Sequence, residues 1–178
     1  MNESLEPSKR PIEEVAVARD FYAGLGQKVG YFSALWHTFN VGHMLAVDLD
    51  RICRQHGISF ADFNLLGALR IDHPRQLRSS DLAVTLQVSN GALTSRIGKL
   101  AEKGLLTKTP APDDRRAFTL ELTPKAVVKI EAIFSAIELG SRFVREVSKL
   151  PDADRAALDR IMGVLHTQLD RHFTYAHR

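Results

Sequence analysis

The spacing of apolar residues predicts a mainly helical chain. Residues 12–56 follow a largely helical pattern, which Gly24, Gly26 and Gly30 divide into a shorter helix and a longer one over about 31–56. The longer helix is apolar around so much of its circumference that it must be buried on several sides. In so short a chain this points to a second copy of the molecule. Its apolar residues are Tyr31, Phe32, Leu35, Trp36, Phe39, Met44, Leu45, Leu49 and Ile52.

Serine caps divide the centre of the chain into three short helices. Each serine can accept a hydrogen bond from the first turn that follows it, and a proline, a short turn or a glycine ends each helix. The predicted helices cover residues 60–72, 81–86 and 90–103, after the caps Ser59, Ser80 and Ser89.

A β-hairpin follows these helices. Alternating apolar and polar residues predict strands over 105–109 and 118–122, joined by a turn-rich loop at 110–116. The order helix, helix, short turn, helix, hairpin is that of a winged helix-turn-helix, in which one short helix supports a second in the DNA major groove. The expected fold class is therefore mainly α with a small β-hairpin wing.

Two long helices close the chain. Thr123-Pro124 is a typical helix start, and we expect that helix to reach about Leu150 and a last helix to cover 153–173. Their apolar stripes exceed what the small central unit could cover, so we assign them to dimerisation. The predicted division is an N-terminal arm with dimerisation helices at 1–56, a DNA-binding lobe at 57–123 and C-terminal dimerisation helices at 124–178.

The helix at 90–103 has the residues of a DNA-reading helix. Three apolar residues face the core, and the opposite face is mostly Gly and Ser, which allow close approach to base edges. Arg96 and Lys99 lie at its shoulders, and its N-terminus offers free N–H groups to a phosphate. Ser89 and Asn90 could instead serve only as caps, and Arg96 could form a structural ion pair. The residues expected to contact DNA here are Ser79, Ser80, Ser89, Asn90, Gly91, Ala92, Thr94, Ser95, Arg96 and Lys99.

The hairpin tip adds three candidates, Asp114, Arg115 and Arg116. An arginine on a thin wing can enter a narrow minor groove, where negative potential is concentrated, and an aspartate two positions earlier can fix its guanidinium. The alternative is a solvated charged turn. The preceding helix-turn-helix favours the DNA contact.

Charge distribution supports a nucleic-acid partner more than total charge does. The 178 residues carry a net charge of +3. Residues 77–125 hold eight Lys/Arg and five Asp/Glu, so this window alone also nets +3. The N-terminus lacks an apolar signal segment, no window could span a membrane, and a single cysteine excludes an internal disulfide. We expect a cytoplasmic protein.

Residues from about His56 to Ala126 resemble the MarR family of bacterial regulators. The resemblance lies in HGISFADFNLLGALR and in LRSSDLAVTLQVSNGALTSRIGKLAEKGLLTKTPAPDDRRAFTLELTPKA. Its wing signature is met by Asp114, Arg116, Leu122 and Thr123, and VSNGALTSRI is most similar to the PecS-like branch. The resemblance implies a homodimer on a pseudo-palindromic DNA site, with Arg116 in the minor groove and Asp114 bracing it. It also implies a pocket for a small aromatic acid or phenol that releases a repressor from its operator. The family's glycine after L-T-P is absent here, and we expect only a local change in capping.

Most of the residues expected to bind an effector lie on the long second helix. Aromatic, amide and imidazole groups converge there, as a mostly apolar pocket with a few polar anchors requires. Packing at a dimer interface is the alternative, especially for Trp36 and Phe39. The candidates are Trp36, His37, Phe39, Asn40, His43, Arg51 and Phe63.

Other classes of function have weaker support in the sequence. Cys53 suggests a one-cysteine redox sensor as an alternative, although such a thiol needs an exposed, electropositive site. A winged helix used only for protein contacts is a further alternative, but it would favour an acidic or apolar reading face. The histidines lack the spacing of a metal site, and no catalytic triad, paired-carboxylate loop or phosphate-binding loop appears. We expect no enzyme, no metal and no cofactor.

Overall fold

The computed structural model describes residues 11–71, 79–110 and 118–175. Over these ranges the chain is mainly helical with one two-stranded antiparallel sheet, as predicted. The described part of the chain divides into two compact units, with the boundary between Ala46 and Val47. The elements are α1 (Pro11–Gly24), α2 (Phe32–Gln55), α3 (Phe60–Ile71), α4 (Ser79–Thr85), α5 (Asn90–Glu102), β1 (Leu106–Pro110), β2 (Phe118–Leu122), α6 (Pro124–Gly140), α7 (Arg142–Val147) and α8 (Asp152–Tyr175).

A row of aromatic rings holds the first unit together. Tyr22 of α1 contacts Phe32 of α2 with ring centroids 5.7 Å apart. Phe32 in turn stacks on Trp36 at 5.9 Å, and Trp36 contacts Phe39 at 6.5 Å. Aromatic pairs at these distances add to the free energy of burial. Phe39 still remains 68% exposed, so this row is covered only on part of its surface.

One hydrophobic core unites the second unit. It takes residues from the end of α2, from α3 to α5, from β1 and from α6. Its fully buried members, at 2% exposure or less, include Cys53, Leu65, Leu66, Leu82, Leu93, Ile97, Leu100, Leu105, Ile130 and Ile133. Close packing of these side chains fixes the short central helices against one another.

Most predicted helix caps are present in the structure. The hydroxyls of Ser59, Ser89 and Thr123 accept backbone N–H groups of the helices that follow, at 3.1–3.2 Å. Ser80 is the exception, because α4 already begins at Ser79 and Ser80 is inside the helix rather than before it. Strand β1 begins one residue later than predicted, at Leu106.

The predicted single helix from Thr123-Pro124 to Leu150 is wrong. Helix α6 ends at Gly140, and the buried Ser141 has an extended backbone and caps α7. A distant pair on α2 stabilises the break: Asp48 accepts the N–H of Arg142 at 2.7 Å, and Arg51 donates to the carbonyl of Gly140 at 3.2 Å. These contacts bond backbone groups that two helix ends leave unpaired.

Asp48 is buried at this junction as a charged, fully bonded carboxylate. Burial alone raises the pKa of Asp48, but hydrogen bonds from Arg51, the Arg142 N–H and the Ser141 hydroxyl outweigh it, so that the pKa falls below its ordinary value near 3.8. A carboxyl group with a lowered pKa stabilises the fold above its unfolded-state pKa. That contribution is lost as the pH falls through the folded-state pKa.

We expect Asp48→Asn to lower the free energy of unfolding by about 2–3 kcal/mol at neutral pH, since it weakens several hydrogen bonds to a charge. The loss should shrink as the pH falls below 3.8 and through the lowered pKa at which the folded wild-type carboxylate takes up a proton. Urea unfolding across a pH series measures both effects. Asp20→Asn is the matched control, because Asp20 pairs with Arg19 on the surface and should cost under about 1 kcal/mol. An equal cost for Asp48→Asn at every pH would contradict this account.

Candidate nucleic-acid interface

Helices α4 and α5 form the turn that the sequence predicts. The chain reverses through Gln87, whose positive φ of 52° fits a tight turn, and Val88 donates to the carbonyl of Ala83 at 3.0 Å. Leu93, Ile97 and Leu100 anchor α5 in the core. The turn fixes the start of α5, and these apolar residues pack one face of the helix against the core.

The other face of α5 is exposed and consists mostly of small residues, as predicted. Apart from the nearby backbone of its own helix, a Cβ atom added at Gly91 or Gly98 would meet no atom of the described residues within 4 Å, so their packing does not require glycine at either position. The exposed residues of α5 are Asn90, Gly91, Ala92, Thr94, Ser95, Gly98, Lys99 and Glu102. Such a surface permits close approach by another molecule.

The polar groups at the start of α5 also make local hydrogen bonds. The Ser89 hydroxyl accepts the N–H of Ala92 at 3.2 Å, and the Thr94 hydroxyl donates to the carbonyl of Asn90 at 2.9 Å. Ser89 is thus a cap, which was one of its two interpretations. Its capping leaves the remaining N–H groups of the first turn available to a phosphate.

The two predicted basic contacts on α5 differ in environment. The guanidinium of Arg96 pairs with the carboxylate of Asp62 on α3 at 3.3 Å, and their side chains are only 22% and 18% exposed. Lys99 is exposed and makes no hydrogen bond or ion pair within the described part of the chain. Arg96 therefore forms the structural ion pair that was its alternative role, whereas Lys99 is available to bind an anion.

Two further basic residues between positions 77 and 125 donate hydrogen bonds within the chain. The ammonium of Lys103 donates to the carbonyl of Gly57, and that of Lys125 donates to the carbonyl of Lys103, both at 2.9 Å. Both lysines bond carbonyls at or just after helix ends, where a cation is favourable. The charge count therefore overstates how many bases can reach DNA.

The wing is formed by β1 and β2, which pair antiparallel from Leu106↔Leu122 to Pro110↔Phe118. Its predicted tip residues Asp114, Arg115 and Arg116 lie outside the described residues, as do the side chains of Ser79 and Ser80. Their DNA contacts stay predictions.

Two predicted effector residues meet in the first unit. Asn40 donates to the backbone carbonyl of Trp36 at 2.9 Å, and the Trp36 ring lies between Phe32 and Phe39. The indole Nε1 of Trp36 is buried and has no hydrogen-bond partner among the residues described. His37 and His43 on the same helix are exposed.

The remaining effector candidates belong to the second unit and have structural partners there. Arg51 does bind a carboxylate, but it is that of Asp48, at 2.8 Å. Phe63 is buried in the core, 6.3 Å from the ring of Phe60 and 5.3 Å from that of Phe134. Contacts within the chain therefore account for Arg51 and Phe63 without a bound ligand.

Cys53 has the opposite of a redox sensor's environment. It is completely buried, and burial, together with the charges of Asp50 and Asp62, raises the pKa of its thiol to about 11. The thiolate is the reactive form of cysteine, so this environment suppresses oxidation. The redox alternative is therefore not supported.

Sequence reasoning missed the acidic residues that organise this region. Asp62 follows Ser59 by three positions, which is the spacing of a capping box, and its carboxylate accepts the N–H of Ser59 at 3.1 Å. That local signal was readable from the sequence. The bond from Asp62 to Arg96 spans 34 positions and was not.

The described geometry, a short helix, a tight turn, an exposed second helix and a two-stranded wing, defines a winged helix-turn-helix. Residues 56–117 match the family model described as MarR family. Over 122 residues the chain is 29% identical to the HTH-type transcriptional regulator PecS of Dickeya dadantii (strain 3937), covering 68% of this chain and 72% of that protein. It is 32% identical over 93 residues to a protein assigned to regulation of the hcr operon in Thauera aromatica, covering 52% of this chain and 54% of that protein.

A solved structure shows the same fold. The crystal structure of a Staphylococcus aureus MepR–DNA complex superposes with a TM-score of 0.66 at 19% identity, covering 75% of this chain and 96% of MepR. The likeness to the MarR family therefore lies in residues 56–117. The family model and the curated relatives are those of transcriptional regulators rather than enzymes. No helix in the described ranges is long and apolar enough to cross a membrane.

We expect Cys53 to resist modification in the native protein. A disulfide reagent at neutral pH should label it only slowly, and unfolding in denaturant should release one thiol per chain, matching the single cysteine in the sequence. Absorbance of the released reagent measures both rates. Rapid labelling of the folded protein would contradict the buried environment.

Proposed function

We propose that this chain is a homodimeric transcriptional regulator that binds a pseudo-palindromic site in double-stranded DNA through α5. The observation that carries this is the exposed α5 face, where no other described residue fills the space at Gly91 and Gly98 or pairs with Lys99. Small side chains allow the helix to approach base edges in the major groove. The relatives, which are regulators, and the MepR–DNA complex support the same function.

Apolar side chains left uncovered on the terminal helices support the homodimer. On α8, residues at steps of three and four are 36–55% exposed, namely Leu158, Ile161, Leu165 and Leu169. A stripe with this spacing forms one face of a helix and favours burial against another surface. A second copy that covers it would place two α5 helices to read two half-sites, about 34 Å apart on the DNA.

We further propose that a small aromatic acid or phenol regulates DNA binding and releases a repressor from its operator. The buried indole N–H of Trp36 has no hydrogen-bond partner among the described residues and supports this, since it is a donor in a mostly aromatic setting. Such a ligand would act by favouring a dimer in which the two α5 helices no longer match successive major grooves. His37, Asn40 and His43 remain the polar candidates.

DNA binding is tested by a mobility shift on DNA from upstream of the chain's own gene, across a salt series. Specific binding should weaken steeply with salt, because bound lysines and arginines release counterions from the phosphates. We expect Lys99→Ala and Arg116→Ala each to weaken binding by about tenfold. Lys149→Ala is the matched control, because Lys149 pairs with Glu146 outside the winged helix. Equal affinity of all three variants and wild type would contradict the proposed interface.

Effector binding can be followed with the chain's own fluorescence. Trp36 is the only tryptophan in the sequence, so its emission reports on one place. Titration with phenols and aromatic acids should give a saturable change in emission and raise the melting temperature, since ligand binding stabilises the native state. Trp36→Phe should abolish the signal and weaken the thermal shift. No response to any such compound would refute the aromatic effector.

A further inference from the structure

We propose that the ion pair between Asp62 and Arg96 positions α5 for DNA binding, and that Arg96 is a positioning residue rather than a DNA contact. This inference rests on the proposed function, because it concerns how the DNA-reading helix is held. It also reverses the role that sequence reasoning prefers for Arg96.

Both carboxylate oxygens of Asp62 accept hydrogen bonds. Oδ2 accepts the backbone N–H of Ser59 at 3.1 Å, and Oδ1 accepts Nη1 of Arg96 at 3.3 Å. The Ser59 hydroxyl completes the capping box by accepting the N–H of Asp62 at 3.1 Å. The side chain that holds Arg96 is therefore itself held, at the first turn of α3.

That first turn is in turn fixed to α2. Asp50 accepts the N–H of Phe60 at 2.9 Å and pairs with Arg54 at 2.5 Å. The Phe60 N–H, and then Arg54, lower the pKa of Asp50, so it stays charged at neutral pH. A continuous set of polar bonds thus leads from α2 through the start of α3 to the middle of α5.

The ion pair between Asp62 and Arg96 restricts the orientation of α5 in a way that packing in the core does not. The apolar stripe of Leu93, Ile97 and Leu100 holds α5 against the core, but hydrophobic contact has little directional preference. A partly buried hydrogen-bonded ion pair depends on orientation and is screened less than a surface pair. The bond at Arg96 can therefore limit rotation of α5 about its axis, which would otherwise turn Ser95 and Lys99 away from the DNA.

The two roles for Arg96 predict opposite signs for a change at Asp62. If Arg96 contacts phosphate, removing the competing negative charge of Asp62 should strengthen DNA binding or leave it unchanged. If the pair positions α5, removing that charge should weaken DNA binding. The salt dependence also differs, because only a residue that neutralises a phosphate contributes to counterion release.

The experiment measures operator affinity across a salt series for the full-length variants Asp62→Asn, Arg96→Met and their double mutant. We expect each single variant to bind about tenfold more weakly with an unchanged salt slope, and the double mutant to bind no more weakly than either, as coupled residues do. Lys99→Met should instead reduce the slope by about one. Lys149→Met, which removes an ion pair with Glu146 outside the winged helix, should leave both affinity and slope unchanged.

Thermal melts establish that each variant is folded at the temperature of the binding assay. If Arg96→Met does not fold, Arg96→Lys replaces it, since it keeps the charge but loses the planar guanidinium, and it should show the same loss at unchanged slope. Stronger or unchanged binding by Asp62→Asn, or a reduced slope in the Arg96 variant, would overturn the proposal. Failure of the wild-type protein to bind any operator DNA would instead count against the proposed function.

Discussion

The burial of one stripe of α5 is the constraint on which the rest of the candidate site depends. Once Leu93, Ile97 and Leu100 enter the core, the helical period places the small residues on the opposite face. The surface proposed to contact DNA is therefore decided by packing. Packing among the described residues does not require glycine at positions 91 and 98, and small residues there suit close contact with an external molecule.

Hydrogen bonds to aspartates of α2 and α3 fix the orientation of the helices that this packing brings together. Asp48 bonds the backbone at the break between α6 and α7, Asp50 bonds the start of α3, and Asp62 bonds both Ser59 and Arg96. Each carboxylate lies at a helix start, where unpaired N–H groups attract negative charge. Their cationic partners keep these buried or half-buried charges paired, so the core need not solvate them.

Local sequence signals predicted the elements well, and long-range polar contacts were beyond them. The Thr123-Pro124 start and the Ser89 cap are encoded within a few residues, and both are present. The break after Gly140 depends on Asp48, which precedes it by more than ninety positions, so helical periodicity alone extended the helix too far. The exposed face of α5 was likewise predictable from its period. The partner of Arg96 was not, because it lies on a different helix.

The central claim is that two copies of α5 occupy successive major grooves of one operator. Hydroxyl-radical footprinting together with guanine methylation interference on the bound operator tests this most directly. Two-fold related protection, with interference in two major-groove segments about one helical turn apart, is the predicted result. Protection of a single half-site, or binding that methylation of major-groove guanines does not affect, would contradict the account.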